Sequence, residues 1–305
     1  MLSHNYDYAA TLAASQKASW KIEDVIQNRT LEFERPFLPE ALAGVAGIQC
    51  LNAREKLKLN QIRGFSYLYL FAVVEEYIVP AVIEHAGMTP QDDDHELRAL
   101  LRFAEEEAKH IQLFKWFVAE FQRGFGTPCG GIGPAKQIAA AILNHSRLGV
   151  FLATLAIEWM TQKHYVESVK DNAAEGLDPL FVSLLRYHWM EESQHAKLDT
   201  LIVDKLASAV DPQKIEGAVD DYMDIGKFLD GGLAQQVELD LESLQKAIGR
   251  VLSADDKAEI RAAQIKAYRW TFLLSGITHP TFDRSLRELS PRGHARVAEL
   301  AQAIS

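Results

Sequence analysis

Apolar positions recur at helical spacing along most of the chain, and no run alternates at the two-residue period of a half-buried strand. The pattern predicts a long, heavily apolar helix over about 53–85, bent at Pro80. A second helix follows over about 95–122, after the turn TPQDDD at 89–94, whose aspartates can cap it. A third helical region covers about 135–174 with a break near Gly149. A fourth opens at Asp178-Pro179 and reaches about Ala209. Asp211-Pro212 repeats that start signal, and Ser253 with Asp256 resembles a capping box. Turns at Gly231-Gly232, at 276–280 and at Ser290-Pro291 separate the remaining helices. The stretch GFGTPCGGIGP at 124–134 is the richest in breakers. It lacks the Gly-Lys-Ser/Thr ending of a phosphate loop and reads as a connection. The expected fold is all-α: a four-helix bundle core over about 53–209, with helices of about 212–305 packed on it. No charged or low-complexity linker divides the chain, which favours one domain over 1–305.

Composition mainly removes alternatives. The chain has 305 residues, 42 acidic and 32 basic, for a net charge of −10. That balance argues against a nucleic-acid binder, which needs a basic face to replace phosphate counterions. The longest apolar run, 65–74, is about half a membrane span. MLSHNYDYAA lacks the basic region and apolar run of a signal peptide. Two cysteines, Cys50 and Cys129, are too few for a disulfide framework or a thiolate metal site. The expectation is a soluble, cytoplasmic protein with no nucleic-acid or membrane partner.

The chemistry sits in two histidines that each follow a glutamate by three residues: Glu107-Ala-Lys-His110 and Glu192-Ser-Gln-His195. On a helix that spacing puts both side chains on one face. Each pair is preceded by a glutamate inside an apolar helix, Glu158 within LATLAIEWMT and Glu76 within FAVVEEYIVP. Glu75 competes with Glu76, but Glu76-Tyr77-Ile78 aligns with Glu158-Trp159-Met160, which favours Glu76. The result is a loose internal duplication, offset by 82 to 85 residues. Four carboxylates on apolar faces would strand about four negative charges in low dielectric, whereas two divalent cations supply the compensating charge. Carboxylate and imidazole donors without thiolate suit iron or manganese and do not exclude zinc. This is the donor pattern of dimetal carboxylate bundles. His188 lies four residues before Glu192 on the same stripe, where the first half has Phe103 before Glu107, so the two metal positions are expected to be unequal.

The constellation resembles the AurF-like p-aminobenzoate N-oxygenases, ferritin-like di-iron oxygenases with doubled Glu then Asp/Glu-Glu-x-x-His motifs and an additional histidine ligand. The match covers about 64–209, on Glu76, Glu107, His110, Glu158, His188, Glu192 and His195, with Glu106 and Glu191 as the acids before each motif glutamate. The resemblance implies a ferritin-like four-helix bundle core and two iron ions, with manganese as the alternative. It also implies dioxygen and a small-molecule aromatic amine as substrates, an external electron donor and a homodimer. No protein acid or base is assigned beyond the metal ligands. A hydroxylase or desaturase acting on carbon would use the same ligands. A ferritin-like iron-binding or ferroxidase protein is the non-enzymatic rival. Glu106, Glu191 and Asp199 read either as acceptors orienting ligand histidines or as surface ion-pair partners. Tyr77, Tyr165 and Tyr187 read as core. Phe103, Phe114, Phe151, Leu155, Phe181 and Leu184 are the expected apolar wall.

Overall fold

The computed structural model describes residues 2–88 and 94–305, so most of the expected turn at 89–94, including Asp92 and Asp93, lies outside the described residues. Three short helices come first, α1 (Tyr8–Ala18), α2 (Ile22–Ile26) and α3 (Glu40–Ala43). They are followed by α4 (Ala53–Gly87), α5 (Asp94–Gly124), α6 (Ala135–Leu143), α7 (Arg147–His164) and α8 (Pro179–Ser208). The C-terminal part consists of α9 (Pro212–Ile248), α10 (Ala254–Arg269), α11 (Ser275–Ile277), α12 (Pro280–Leu289) and α13 (Pro291–Ile304). Single π turns follow α7 and α10, at Tyr165–Val169 and Trp270–Leu274. Among the described residues there is no strand.

The helix starts are built by capping chemistry. Asn52 accepts from the amides of Arg54 and Glu55, while the Glu55 side chain returns to the Asn52 amide. Asp178 accepts from the amide of Phe181, Asp211 from Lys214 and Ser253 from Asp256, each satisfying a donor that the helix itself cannot.

The bundle is α4 against α5 and α7 against α8, the two pairs meeting across their acidic faces. Helix α4 runs unbroken through Pro80, whose ring lies on the exposed side. By length and hydropathy α4 would suffice for a membrane span, more than its longest apolar run suggests. Here 67% of that window is buried inside the fold, against α5, α6 and α9. Helix α9 packs over α4 and α7, α10 lies on α9 and α3, α11 on α7, and α1 on α5 and α8.

Two expected boundaries move. The turn at Gly231-Gly232 does not exist, because α9 continues through it. A helical glycine costs about 1 kcal/mol relative to alanine, and burial of Leu233, Val237 and Leu241 outweighs it. The break near Gly149 falls earlier, and Ser146 caps α7 by accepting from the Gly149 amide at 3.3 Å. Gly149 instead allows close helix approach, since a Cβ there would stand 2.6 Å from the Asp221 Cβ and 3.0 Å from the Ala218 carbonyl.

Candidate metal centre

Helix α5 places Glu107 and His110 on one inward stripe, and α8 does the same with His188, Glu192 and His195. Glu158 enters from α7 and Glu75 from α4. All seven residues are at most 2% exposed. Their donor atoms form two overlapping groups, each within 4.8 Å: Glu75, His110, His188 and Glu192; and Glu107, His110, Glu192 and His195. Glu192 Oε1 lies 2.6 Å from His188 Nε2 and 3.0 Å from His110 Nδ1, and its Oε2 lies 2.9 Å from His195 Nδ1. Glu107 Oε1 is 2.8 Å from His195 Nδ1. Glu158 shares a hydrogen bond with Glu192.

The structure thus brings together Glu107, His110, Glu158, His188, Glu192 and His195, and leaves Glu76 outside. Glu76 points away and pairs with Lys115 at 2.9 Å, its side chain 24% exposed. Glu75 stands in its place, with Oε1 3.3 Å from His188 Nε2. Aligning Glu76 with Glu158 is therefore off by one residue. The buried stripe of α4 runs Phe71, Glu75, Ile78 and Val82 at helical spacing.

Glu106 and Glu191 are buried acceptors, and they cross over. Glu106 precedes Glu107 on α5 but binds His195 of α8, Oε2 to Nε2, at 3.0 Å. Glu191 precedes Glu192 on α8 but binds His110 of α5, Oε2 to Nε2, at 2.9 Å. Each carboxylate accepts a hydrogen bond from the Nε2–H of its histidine, so the neutral ring turns its Nδ1 lone pair to the glutamate cluster. Ser15 and Arg102 hold Glu106 at 2.7 and 3.0 Å, and Lys109 holds Glu191 at 2.6 Å. The Trp20 ring stacks on His110, 5.7 Å between centroids, and Lys109 Nζ lies over the Trp20 ring, 3.9 Å from its centroid. Asp199 differs from both glutamates: it is wholly buried and neither oxygen has a hydrogen-bond partner.

Without cations the cluster has to share protons. Burial, followed by the charge of Glu107, pushes the Glu75 carboxyl up to about 8. Glu107 and Glu158 are raised as well, by burial and then by the charge of Glu192. For Glu192 burial also opposes ionisation, but His188, His195 and the hydrogen bond from Glu158 hold it well below the usual carboxylate range. Burial works against the charged form of His110, His188 and His195, and Glu192 outweighs it, so all three are raised. Even so, the short contacts of Glu107 Oε1, Glu192 Oε1, His110 Nδ1 and His188 Nε2 are not aligned as hydrogen bonds, and these atoms, with Glu75 Oε2, Glu107 Oε2 and Glu158 Oε2, are buried without a hydrogen-bond partner. Unsatisfied atoms of this kind are costly, and here all of them are metal-donor atoms in one place. The residues fit two divalent cations, which would neutralise four glutamates and use the free lone pairs.

A cavity of about 570 Å³ lies beside the cluster, lined mainly by α4, α6, α7 and α9. Val74 and Ile157, which directly precede Glu75 and Glu158, line it, as does Phe71, whose ring stands edge-on to His188 at 5.5 Å. Gly231 and Gly232 form part of its α9 wall. Of the six side chains expected to form an apolar wall, Phe103 stacks on His195 at 4.2 Å and Phe114 meets His188 at 5.0 Å. Phe151 packs on His85 and Phe181 on Phe37 instead, and none of the six lines the cavity. Phe71, Trp20 and Ser15 are the contributors that sequence reasoning missed.

No protein-family profile matches the chain, and no curated protein matches it in sequence. Solved structures do. A single-substitution variant of an R2-like ligand-binding oxidase, with an aerobically reconstituted Fe/Fe cofactor, superposes with a TM-score of 0.50 at 16% identity, covering 88% of this chain and 93% of that one. A tyrosine-to-phenylalanine variant of such an oxidase, with a Mn/Fe cofactor, gives 0.49 at 15% identity, with the same two coverages. The first of these superpositions shows that the chain shares its all-α bundle fold.

Proposed function

We propose that this chain is a dimetal-dependent oxidoreductase that binds two iron ions, or manganese and iron, and uses dioxygen to oxidise an apolar organic molecule. The observation that carries the reading is the convergence of seven buried donor residues, six of which carry an atom without a hydrogen-bond partner. Glu75, His110 and His188 would hold one ion, Glu158 and His195 the other, with Glu107 and Glu192 between them. The ions supply dioxygen reduction when bound. The Fe/Fe cofactor of the R2-like oxidase neighbour supports the same choice of metal. Glu106 and Glu191 keep the two imidazoles in the tautomer that offers Nδ1. Phe103, Phe114 and Phe71 surround the histidines and exclude water from the reacting face.

The cavity behind Phe71 is the substrate site in this reading. Its described lining contains no carboxylate and one cation, Lys227, which pairs with Asp224 at 2.9 Å. An alkylammonium would be stranded there, whereas a neutral aromatic amine fits. That supports N-oxygenation of an arylamine, the activity the sequence resemblance implies, with electrons drawn from an external donor. The test is to purify the protein, count its metal, reduce it without oxygen, then admit oxygen with and without arylamines. Two ions per chain and a hydroxylamine or nitro product are expected. A protein that takes up no transition metal ends the reading. One that binds two ions and consumes oxygen, yet leaves every arylamine unchanged, is an oxidase of some other apolar substrate.

A further inference from the structure

Tyr67 lies two turns ahead of Glu75 on α4 and is 1% exposed. Its hydroxyl is 3.1 Å from Nδ1 of His164, His164 Nε2 is 3.0 Å from Ser275 Oγ, and Ser275 Oγ donates to the Thr271 carbonyl at 3.0 Å. The last bond fixes the direction of the chain. With its own proton on Thr271, Ser275 Oγ accepts from Nε2–H, so Nδ1 carries the lone pair and the Tyr67 hydroxyl donates to it. Burial, which also holds the His164 pKa down to about 3, keeps the ring neutral. Two backbone irregularities meet here: His164 is the last residue before the π turn at 165–169, and Ser275 is the first after the one at 270–274. Such turns are frequent at functional sites. Tyr67 also packs against Phe71, the rings tilted by 45° with centroids 4.7 Å apart, and Phe71 meets His188 edge-on at 5.5 Å.

We propose that Tyr67 is a redox-active tyrosine, giving one electron by way of Phe71 and His188 to the oxygen-reacted dimetal centre while its phenolic proton passes to His164 Nδ1. The O–H bond of Tyr67 breaks and an N–H bond forms on His164. Tyr67 becomes a neutral phenoxyl radical, His164 an imidazolium still donating to Ser275, and the metal centre is reduced by one electron. A phenol this deeply buried does not ionise on its own, because burial raises its pKa far above the usual tyrosine range. A base within hydrogen-bond reach is what makes its oxidation feasible. Other buried tyrosines lack the combination: Tyr77 meets the Thr154 hydroxyl at 3.4 Å, and Tyr268 donates to Asp240 but reaches His188 only through Phe272 and Phe71.

The inference rests on the dimetal reading, so metal content and oxygen uptake are measured on the same samples. Ferrous protein is mixed with oxygen, freeze-quenched and examined by electron paramagnetic resonance, with natural and ring-deuterated tyrosine incorporated. An organic radical whose hyperfine splitting collapses on deuteration is expected, absent in Tyr67→Phe and lost or shortened in lifetime in His164→Asn. The asparagine can still accept the hydrogen bond but is not a base, so a purely structural role for His164 would leave the signal unchanged. Circular dichroism and metal content of both variants confirm that they fold. A protein that binds no metal overturns the functional reading and this inference with it. Metal binding and oxygen uptake without a radical, or with one that survives Tyr67→Phe or keeps its lifetime in His164→Asn, overturns this inference alone.

Discussion

Replacing Glu75 and Glu76 by glutamine, one at a time, separates two adjacent carboxylates by their environments. In the metal-free protein the Glu75 carboxyl titrates at about 8, against an ordinary value of 4.5. A folded pKa above the unfolded one means that folding favours the protonated acid. That stability is fully present below the unfolded value and is lost as pH rises through the folded one. At pH 7 the unfolded chain gains the ionisation of this group and the folded chain does not. At about 1.4 kcal/mol per pH unit, over the roughly 2.5 units between 4.5 and 7, this costs on the order of 3 kcal/mol. Glutamine carries no such penalty and still offers an oxygen to His188. Metal-free Glu75→Gln should therefore be more stable than the parent at pH 7 by up to about 3 kcal/mol, the gain fading toward pH 5. Glu76→Gln loses only its partly exposed pair with Lys115, worth about 0–1 kcal/mol. Urea unfolding of chelator-treated protein across this pH range measures both, and metal counting on loaded samples completes the comparison. Glu75→Gln should lose metal and Glu76→Gln should keep it. A Glu75→Gln protein that is less stable than the parent at pH 7, or that keeps its metal while Glu76→Gln loses it, would refute the argument.

Glu191→Ala and Glu106→Ala should each weaken metal binding about 10–100-fold by releasing the Nε2 proton of His110 or His195 from its acceptor; a chelator competition titration reads this directly. Phe71→Ala should cost about 3–5 kcal/mol in urea unfolding, because the ring is 1% exposed in the core. It should also join the cavity to His188, so that a small reductant bleaches the oxidised centre faster than in the parent. Gly149→Ala should destabilise by about 1–3 kcal/mol, since its Cβ would overlap Asp221 of α9; a thermal melt of the metal-free protein is sufficient to see it.

The helices were legible because their ends carry local chemistry: Asp178-Pro179, Asp211-Pro212 and Ser253 with Asp256 start α8, α9 and α10 where the sequence places them. The two Glu-x-x-His stripes were legible because three residues on a helix define a face whatever surrounds it. Glu75 was not, since α4 is covered on several sides and its apolar residues hardly distinguish one face from the next. Only the position of α5, with Lys115 beside Glu76, decides which neighbour turns inward. Gly231-Gly232 misled for a related reason. Local propensity marks a turn there, and the tertiary contacts of α9 override it. The crossed Glu106–His195 and Glu191–His110 bonds, and the contribution of Ser15 from α1, join residues 81 to 91 positions apart. No local pattern reveals contacts of that kind.

The duplication explains why the centre is lopsided. Four residues before Glu107, Phe103 packs its ring on His195, the histidine of the opposite helix. Four residues before Glu192, His188 packs its ring on His110, again the histidine of the opposite helix. The two positions are equivalent in the bundle, one filled by an aromatic hydrocarbon and the other by an imidazole of nearly the same shape. Phe103 stacks on its histidine while His188 meets its own edge-on, and the change adds a nitrogen donor on the Glu75 side only. The same side carries Phe71, the cavity and the route to Tyr67. The extra donor, the opening toward the cavity and the buried phenol thus cluster around one metal position. At the opposite position Phe103 covers His195, and Glu106 is tied to Ser15 and Arg102. On the proposed dimetal reading, a site with two such unlike ends would react at one and be supported at the other, with Glu75 and His188 at the reacting one.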